Sequence, residues 1–263
     1  MLLFFVSPLL MLGVVSLYGD MAMSQWGSVS NWAKMFDVFG LFVLVDTLWL
    51  GVQVTFLCLV LGFALAWLFV RLPSNLQPLV IFIIMLPLLT SVVVRTFAWI
   101  VILGKQGIVN NWLLELGWIS TPLKLLYTRS GLVVALANVQ LPLMALPLIT
   151  ALQRIEGNLS DASASLGASE WYTFKKVIVP LALPGIIAGC LLTFSAAITA
   201  FISQSLIGGG QMLFMPMYLY QQVSALSNFP FAAVISITFL VTVVLCVSAF
   251  NALGRLSRGY AAG

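Results

Sequence analysis

The sequence predicts an all-α membrane protein with six transmembrane helices, and three observations carry that prediction. Of the 263 residues, 62% are hydrophobic and only 7% charged, whereas a soluble surface needs about a quarter of its residues charged. The mean hydropathy is +1.14. The apolar residues also gather into six runs, 2–18, 41–70, 78–103, 130–153, 184–206 and 229–253, and a helix of about 20 residues crosses a hydrocarbon core of roughly 30 Å. Lipid offers backbone groups no hydrogen-bond partner, so each run is expected to be helical.

Taken in order, the first run is followed by small residues near Ala22–Ser24, as a secretion signal would be, but no basic residue precedes it, and it is read as a retained span. Residues 19–40 form a loop with Trp26 and Trp32 as interfacial anchors, and 72–77 a tight turn. Within 104–129, Asn110 or Asn111 can cap a short helix that carries Trp112, Leu113 and Leu116 along the interface. The segment 207–228 is uncharged, with three successive glycines, Gly208–Gly210, and is expected to pack into the protein. Gly62 and Ala66, and Gly185 and Gly189, are small residues four apart, suited to close helix packing within one subunit.

Several function classes fall away. There is no histidine, and Cys58, Cys190 and Cys246 each stand alone in an apolar run, which argues against metal and disulfide roles. The net charge of +4 is scattered, so no nucleic-acid partner is implied. No G-x-x-x-x-G-K-[ST] is present, so this chain has no phosphate-cradling loop and no cofactor of its own. Apart from Asp46 no acidic residue lies in a span, which removes the titratable relay of a proton-driven pump and the clustered groups of a membrane enzyme.

A few polar residues remain inside the spans. Arg95 is the one charge well inside, costing on the order of 3 kcal/mol near a bilayer centre, and Asp46 lies at a similar depth, so the two are expected to pair across spans two and three. Outward snorkelling of Arg95 is the alternative. Ser195, Thr199 and Ser203 form an i, i+4, i+8 stripe with Gln204 beside it; Gln53 lies two turns below Asp46, and Asn138 one turn before Pro142. With Trp99 these are the candidate lining of a solute path, and helix-to-helix hydrogen bonding explains the same residues.

The polar stretch 154–183 interrupts the apolar pattern. Leu159, Ala162 and Leu166 recur at i, i+3, i+7, and so do Trp171, Phe174 and Ile178, which gives two short amphipathic helices. Gly167 lies between them where positive φ is needed, and Ser169 can cap the second. Pro180 and Pro184 are expected to stop this bracket before the next span starts. Leu166, Trp171 and Phe174 are the candidate anchors for a partner, with Glu170, Lys175 and Lys176 steering its approach. Packing of that face on the chain's own helices is the other reading.

The bracket resembles the E-A-A-x3-G-x9-I-x-L-P loop of ABC-transporter permeases, with Asp161, Ala162, Ser163, Gly167, Val177, Val179 and Pro180 at its positions. Ala162, Gly167 and Pro180 match outright. LPLLTSVVVRTFAWI at Leu86–Ile100, GIVNNWL at Gly107–Leu113, LPLMALPL at Leu141–Leu148 and Gly208–Gly210 resemble the spermidine/putrescine-type subfamily, across roughly residues 40–240. The resemblance implies a type I ABC importer permease fold of the MetI-like kind, one permease domain over residues 1–263, with a cytoplasmic coupling loop at 154–183. It implies coupling through Asp161, Ala162, Leu166, Gly167, Glu170, Trp171, Phe174, Lys175, Lys176 and Pro180 to a separate ABC ATPase dimer that binds ATP and Mg. A second homologous permease subunit, an extracytoplasmic solute-binding protein and the bacterial inner membrane complete the picture. The implied solute is a polyamine, with an amino-acid-like solute as the alternative, and a secondary transporter or channel working without an ATPase as the rival class.

Six crossings put both termini on one side. With the termini cytoplasmic, inner segments carry Arg71, Arg154, Lys175, Lys176, Arg255 and Arg258 against Lys34, Lys105, Lys124 and Arg129 outside, the direction of the positive-inside rule.

Overall fold

The computed structural model describes residues 2–155, 159, 162, 163 and 165–260, with side chains from residue 6 to residue 252 within those bounds. Its elements are α1 (Leu2–Val15), α2 (Ser30–Met35), α3 (Val38–Arg71), α4 (Gln77–Leu89), α5 (Val92–Leu103), α6 (Ile108–Glu115) and α7 (Arg129–Gln153). After the bracket come α8 (Glu170–Thr173), a π turn (Phe174–Ile178), α9 (Val179–Ile198), α10 (Phe201–Gly208), α11 (Met215–Ser224) and α12 (Phe229–Tyr260). Among the described residues, five helical stretches are long and apolar enough to cross a membrane: 38–71, 92–115, 129–153, 170–198 and 229–252. Val6–Val15 and Gln77–Leu89 are shorter apolar helices.

Three helices, α3, α7 and α9, pack on one another to form the centre. Their contact surfaces carry Leu50, Val54 and Cys58 from α3, Leu136, Met144 and Leu148 from α7, and Ala182 and Cys190 from α9. The backbones come close because the small residues expected to permit it sit at the seam. A Cβ on Gly185 would stand 2.7 Å from the Pro147 carbonyl oxygen, and one on Gly189 would stand 2.7 Å from the Met144 sulfur. In lipid, where apolar burial between helices contributes little, this close van der Waals contact is the main cohesive force. A second cluster joins Met35, Val43, Met215, Tyr218, Val234 and Ile235, and so ties α2, α3, α11 and α12 together.

The segment after the glycines packs inward as its composition predicts. Phe214 and Met215 are fully buried, and the Met215 amide donates to Thr47 Oγ on α3 at 2.9 Å. Asn110 does something different from the capping expected of it. Gly107 occupies the N-cap of α6 with no side-chain bond, while buried Asn110 donates to the carbonyls of Gly104 and Leu123 and accepts from the Leu123 amide, at 2.8–3.0 Å. Asn110 therefore fastens the loop to itself, since a buried amide with three partners is worth more there than at a half-exposed helix end.

Two spans that read as single apolar runs are broken. The run 78–103 divides at Thr90–Ser91, both with extended backbone. Pro87 has no N–H for the preceding turn, and Thr90 Oγ takes up the Pro87 carbonyl at 3.1 Å. The run 184–206 ends its helix at Ile198 and resumes at Phe201. There Thr199 Oγ bonds back to the Ser195 carbonyl at 2.7 Å, a contact that bends helices. Gln204 Nε2 then reaches back to the freed Ala197 and Ile198 carbonyls at 2.9 and 3.2 Å, which satisfies groups that lipid could not.

The bracket is also continuous with the span that follows it. Pro180 and Pro184 do not end it: the chain is helical from Glu170 to Ile198. The Val179 amide bonds the Phe174 carbonyl, a π-type spacing, so the helix is widened by one residue immediately before Pro180 and the proline ring is accommodated.

Candidate functional site

The bracket is held by short polar bonds on one side and aromatic rings on the other. Gly167 has φ +79°, a left-handed conformation that a side chain makes costly and glycine adopts freely. Ser169 Oγ accepts from the Tyr172 amide and starts α8. Ser163 and Thr173, both buried, share a hydroxyl contact of 2.8 Å across the turn. Beneath α8, the Phe174 ring meets Phe63 and Trp67 of α3 edge-on, at centroid distances of 5.4 and 5.6 Å. Trp171 stacks on the outer face of Phe174 at 5.5 Å, and Arg71 lies 4.4 Å over the Trp67 ring, a cation–π contact.

The expected anchors thus divide. Phe174 is spent on the chain's own α3, because its position on the inner face of the π turn aims it at Trp67 rather than outward. Leu166 and Trp171 stay open, 88% and 71% exposed. Ala162, Glu170, Lys175, Lys176 and Pro180 are exposed as well. Asp161 lies outside the described residues.

On the opposite side of the molecule, Asp46 and Arg95 do not pair. Asp46 is bound by Arg129, the first residue of α7. Arg129 Nη1 donates to Asp46 Oδ1, Nη2 to the Asp46 carbonyl at 3.3 Å, and Nε to Gln53 Oε1 at 2.7 Å. A cation in the first turn of a helix is opposed by the helix dipole. The carboxylate and amide from α3 offset that cost, and they reach Arg129 because Asp46 and Gln53 lie two turns apart on one face.

Arg95 lies instead on α5, half-buried, and its Nε and Nη1 atoms have no hydrogen-bond partner. Next to it, Thr96 and Ser203 share a hydroxyl contact of 3.1 Å. Trp99 Nε1 donates to Asn138 Oδ1 at 3.4 Å, so these two candidates meet across α5 and α7. The Ser195, Thr199, Ser203 stripe does not survive as one face: the break after Ile198 leaves Thr199 exposed and turns Ser203 and Gln204 inward. Arg129, Thr96 and Thr47 are the polar partners that sequence reasoning missed. Arg129 alone carried a signal, being a cation at the threshold of a span whose neighbour holds a carboxylate at the same depth.

Between α7 and α9 an open groove of ≈ 870 Å³ runs past Pro142, Leu146, Pro147, Thr150 and Pro184 to Arg154 at the bracket end. Its walls are apolar except for Thr150 and Arg154.

A helical membrane bundle with an exposed bracket joined to a span and a groove along that span has the architecture of a membrane transport subunit, and the sequence family it matches agrees. The family model for binding-protein-dependent transport system inner membrane components matches residues 58–259, and the chain belongs to that family. It is a multi-pass inner-membrane permease component. The spermidine/putrescine transport system permease protein PotB of Escherichia coli (strain K12) is 33% identical over 229 residues, 87% of this chain and 83% of its own. The inner membrane ABC transporter permease protein YdcU of the same organism is 31% identical over 239 residues, 86% and 76% of the two chains. The crystal structure of a bacterial ABC transporter involved in import of the acidic polysaccharide alginate superposes with a TM-score of 0.79 over 97% of this chain and 90% of that one, at 18% identity, a likeness of fold.

Proposed function

We propose that this chain is the permease subunit through which an ATP-driven importer passes a polyamine, and that the bracket around Gly167 is its cytoplasmic docking element for an ABC ATPase dimer. The observation that carries the reading is mechanical: Leu166 and Trp171 are free while Phe174 bolts α8 to α3, so a partner gripping the free pair moves the span directly. ATP and Mg bind on the ATPase, a second permease chain completes the path, and a solute-binding protein delivers from outside. Both termini then face the cytosol. Residues 1–263 form one permease domain, with the coupling loop at 154–183 and contacts at Ala162, Leu166, Gly167, Glu170, Trp171, Lys175, Lys176 and Pro180, joined by Asp161.

The likeness to PotB supports a polyamine. The path follows the α7–α9 groove, with Asn138, Trp99, Ser195 and Thr199 near its outer end and Asp46 and Gln53 at the mouth. The test is uptake of labelled putrescine or spermidine into proteoliposomes that hold this chain, its second permease and its ATPase. Uptake that needs internal ATP and external binding protein is expected. Uptake by this chain alone without nucleotide would overturn the proposal in favour of a secondary transporter.

A further inference from the structure

Among the described residues, Arg95 is the membrane-embedded charge left without a counterpart. Its Nε and Nη1 atoms are buried and have no hydrogen-bond partner. It lies eight residues before Leu103, the end of α5, about 12 Å along the helix. Because Nε and Nη1 are buried within the chain, the side chain is not stretched outward to a lipid headgroup. Beside it, Val94, Phe97 and Val101 form an exposed apolar stripe at helical spacing. A guanidinium left unpaired beside such a face at membrane depth is stable only where something covers the face and supplies an acceptor.

We propose that Arg95 forms an ion pair with a carboxylate carried in a membrane span of the neighbouring permease chain, docked on the Val94–Phe97–Val101 face of α5. This rests on the two-permease reading above. The acceptor must be foreign because, of the chain's seven acidic residues, only Asp46 lies inside a span, Glu115 and Glu170 standing at the very ends of theirs, and Asp46 is taken by Arg129. A second copy of this chain has the same shortage, so the neighbour is a different polypeptide. The pairing also resolves a conflict in a route for polycations. A free guanidinium repels an ammonium, whereas a neutralised one does not.

The test uses the tagged chain co-expressed with its second permease and ATPase, purified in mild detergent. R95Q and R95M are expected to retain at least about tenfold less second permease chain than wild type, whereas R95K, which keeps the charge, retains most of it. R95E is expected to be rescued by exchanging one span carboxylate of the second permease for Arg. Membrane insertion and thermal stability of each variant expressed alone control for misfolding. Wild-type recovery of the second permease by R95Q would overturn the ion pair, and so would intact assembly with altered solute preference, which would put the guanidinium on the solute path. Failure of the wild-type chain itself to recover a second membrane chain would instead sink the importer reading, and the ion pair with it.

Discussion

Arg129 reaches from the first turn of α7 to Asp46 on α3 and, with the same guanidinium, to Gln53 seven residues further along. One side chain therefore fixes both the spacing and the rotation of two central helices. The pair is partly open, with side-chain exposures of 33% and 20%, so its worth lies between that of a surface bridge and a dry one. Asp46→Asn and Arg129→Gln are each expected to lower stability by ~1–2 kcal/mol. The double variant should lose less than the sum of the two. Thermal unfolding of the purified assembly in detergent measures both, and strict additivity would refute the linkage.

At Gly167 nothing lies within 4 Å of an added Cβ, but φ is +79°. A substitution there acts through the backbone alone. Gly167→Val should cost about 1–2 kcal/mol at the turn and uncouple ATP hydrolysis from uptake while the protein stays inserted. Gly167→Asn, which tolerates the left-handed region, should keep more transport. Equal transport by the two variants would show that the turn is not part of the coupling.

Phe174 and Trp171 are stacked yet should behave oppositely. Phe174→Ala removes a ring wedged against Phe63 and Trp67 and is expected to destabilise the chain by about 2 kcal/mol. Trp171→Ala should leave the melting temperature of the isolated chain almost unchanged and reduce recovery of the ATPase on purification. The two readouts separate internal clamp from external handle.

The two glycines of α9 should also differ from one another. At Gly185 an added Cβ would collide with the Ala151 Cβ and stand 2.7 Å from the Pro147 carbonyl oxygen, neither of which can turn aside, while at Gly189 the nearest atom is the movable Met144 sulfur, with the Met144 carbonyl oxygen further off at 3.1 Å. Gly185→Ala is therefore expected to be the more damaging change, by about 1–3 kcal/mol, seen as a lower yield of monodisperse protein. The reverse order would mean that α7 and α9 shift apart easily.

Asp20 gives a pH prediction outside the membrane. Its carboxylate accepts from Ser24 Oγ at 2.6 Å and from the amides of Ser24 and Gln25 at 2.9 and 2.8 Å. The Ser24 hydroxyl leads in holding its pKa below the usual 3.8, followed by the Gln25 amide. A lowered carboxylate pKa stabilises the loop above the unfolded value, and that support is lost as pH falls through the folded one. Trp26, packed edge-on against Tyr18 at 5.0 Å, should report loosening of the loop only below the ordinary Asp range. Asp20→Asn should abolish the step.

The bracket was legible because its determinants are local: a glycine that needs positive φ, a serine followed by a helical periodicity, and aromatic residues at i, i+3. That Gly185 and Gly189 would sit at a close helix contact followed in the same way from their spacing, although which helix they would meet did not. What stayed hidden depends on partners remote in sequence. Asp46 and Arg95 share a depth, but depth says nothing about azimuth, and Arg129 wins by facing α3 from α7. The breaks at Thr90–Ser91 and Thr199–Ala200 were invisible to a hydropathy pattern, which registers how apolar a stretch is and not whether its carbonyls have found other donors. Proline was over-read at 180, since one extra residue of helical girth lets it pass.

The unbroken 29-residue stretch from Glu170 to Ile198 is a stiff rod of about 43 Å, with a ring clamp near its bracket end and an unwound joint at its far end. A rod of this kind takes up almost no displacement along its length. The break at Thr199–Ala200, bridged only by Gln204 to the Ala197 and Ile198 carbonyls, is therefore where bending of this crossing costs least, and a hinge there leaves the clamp undisturbed.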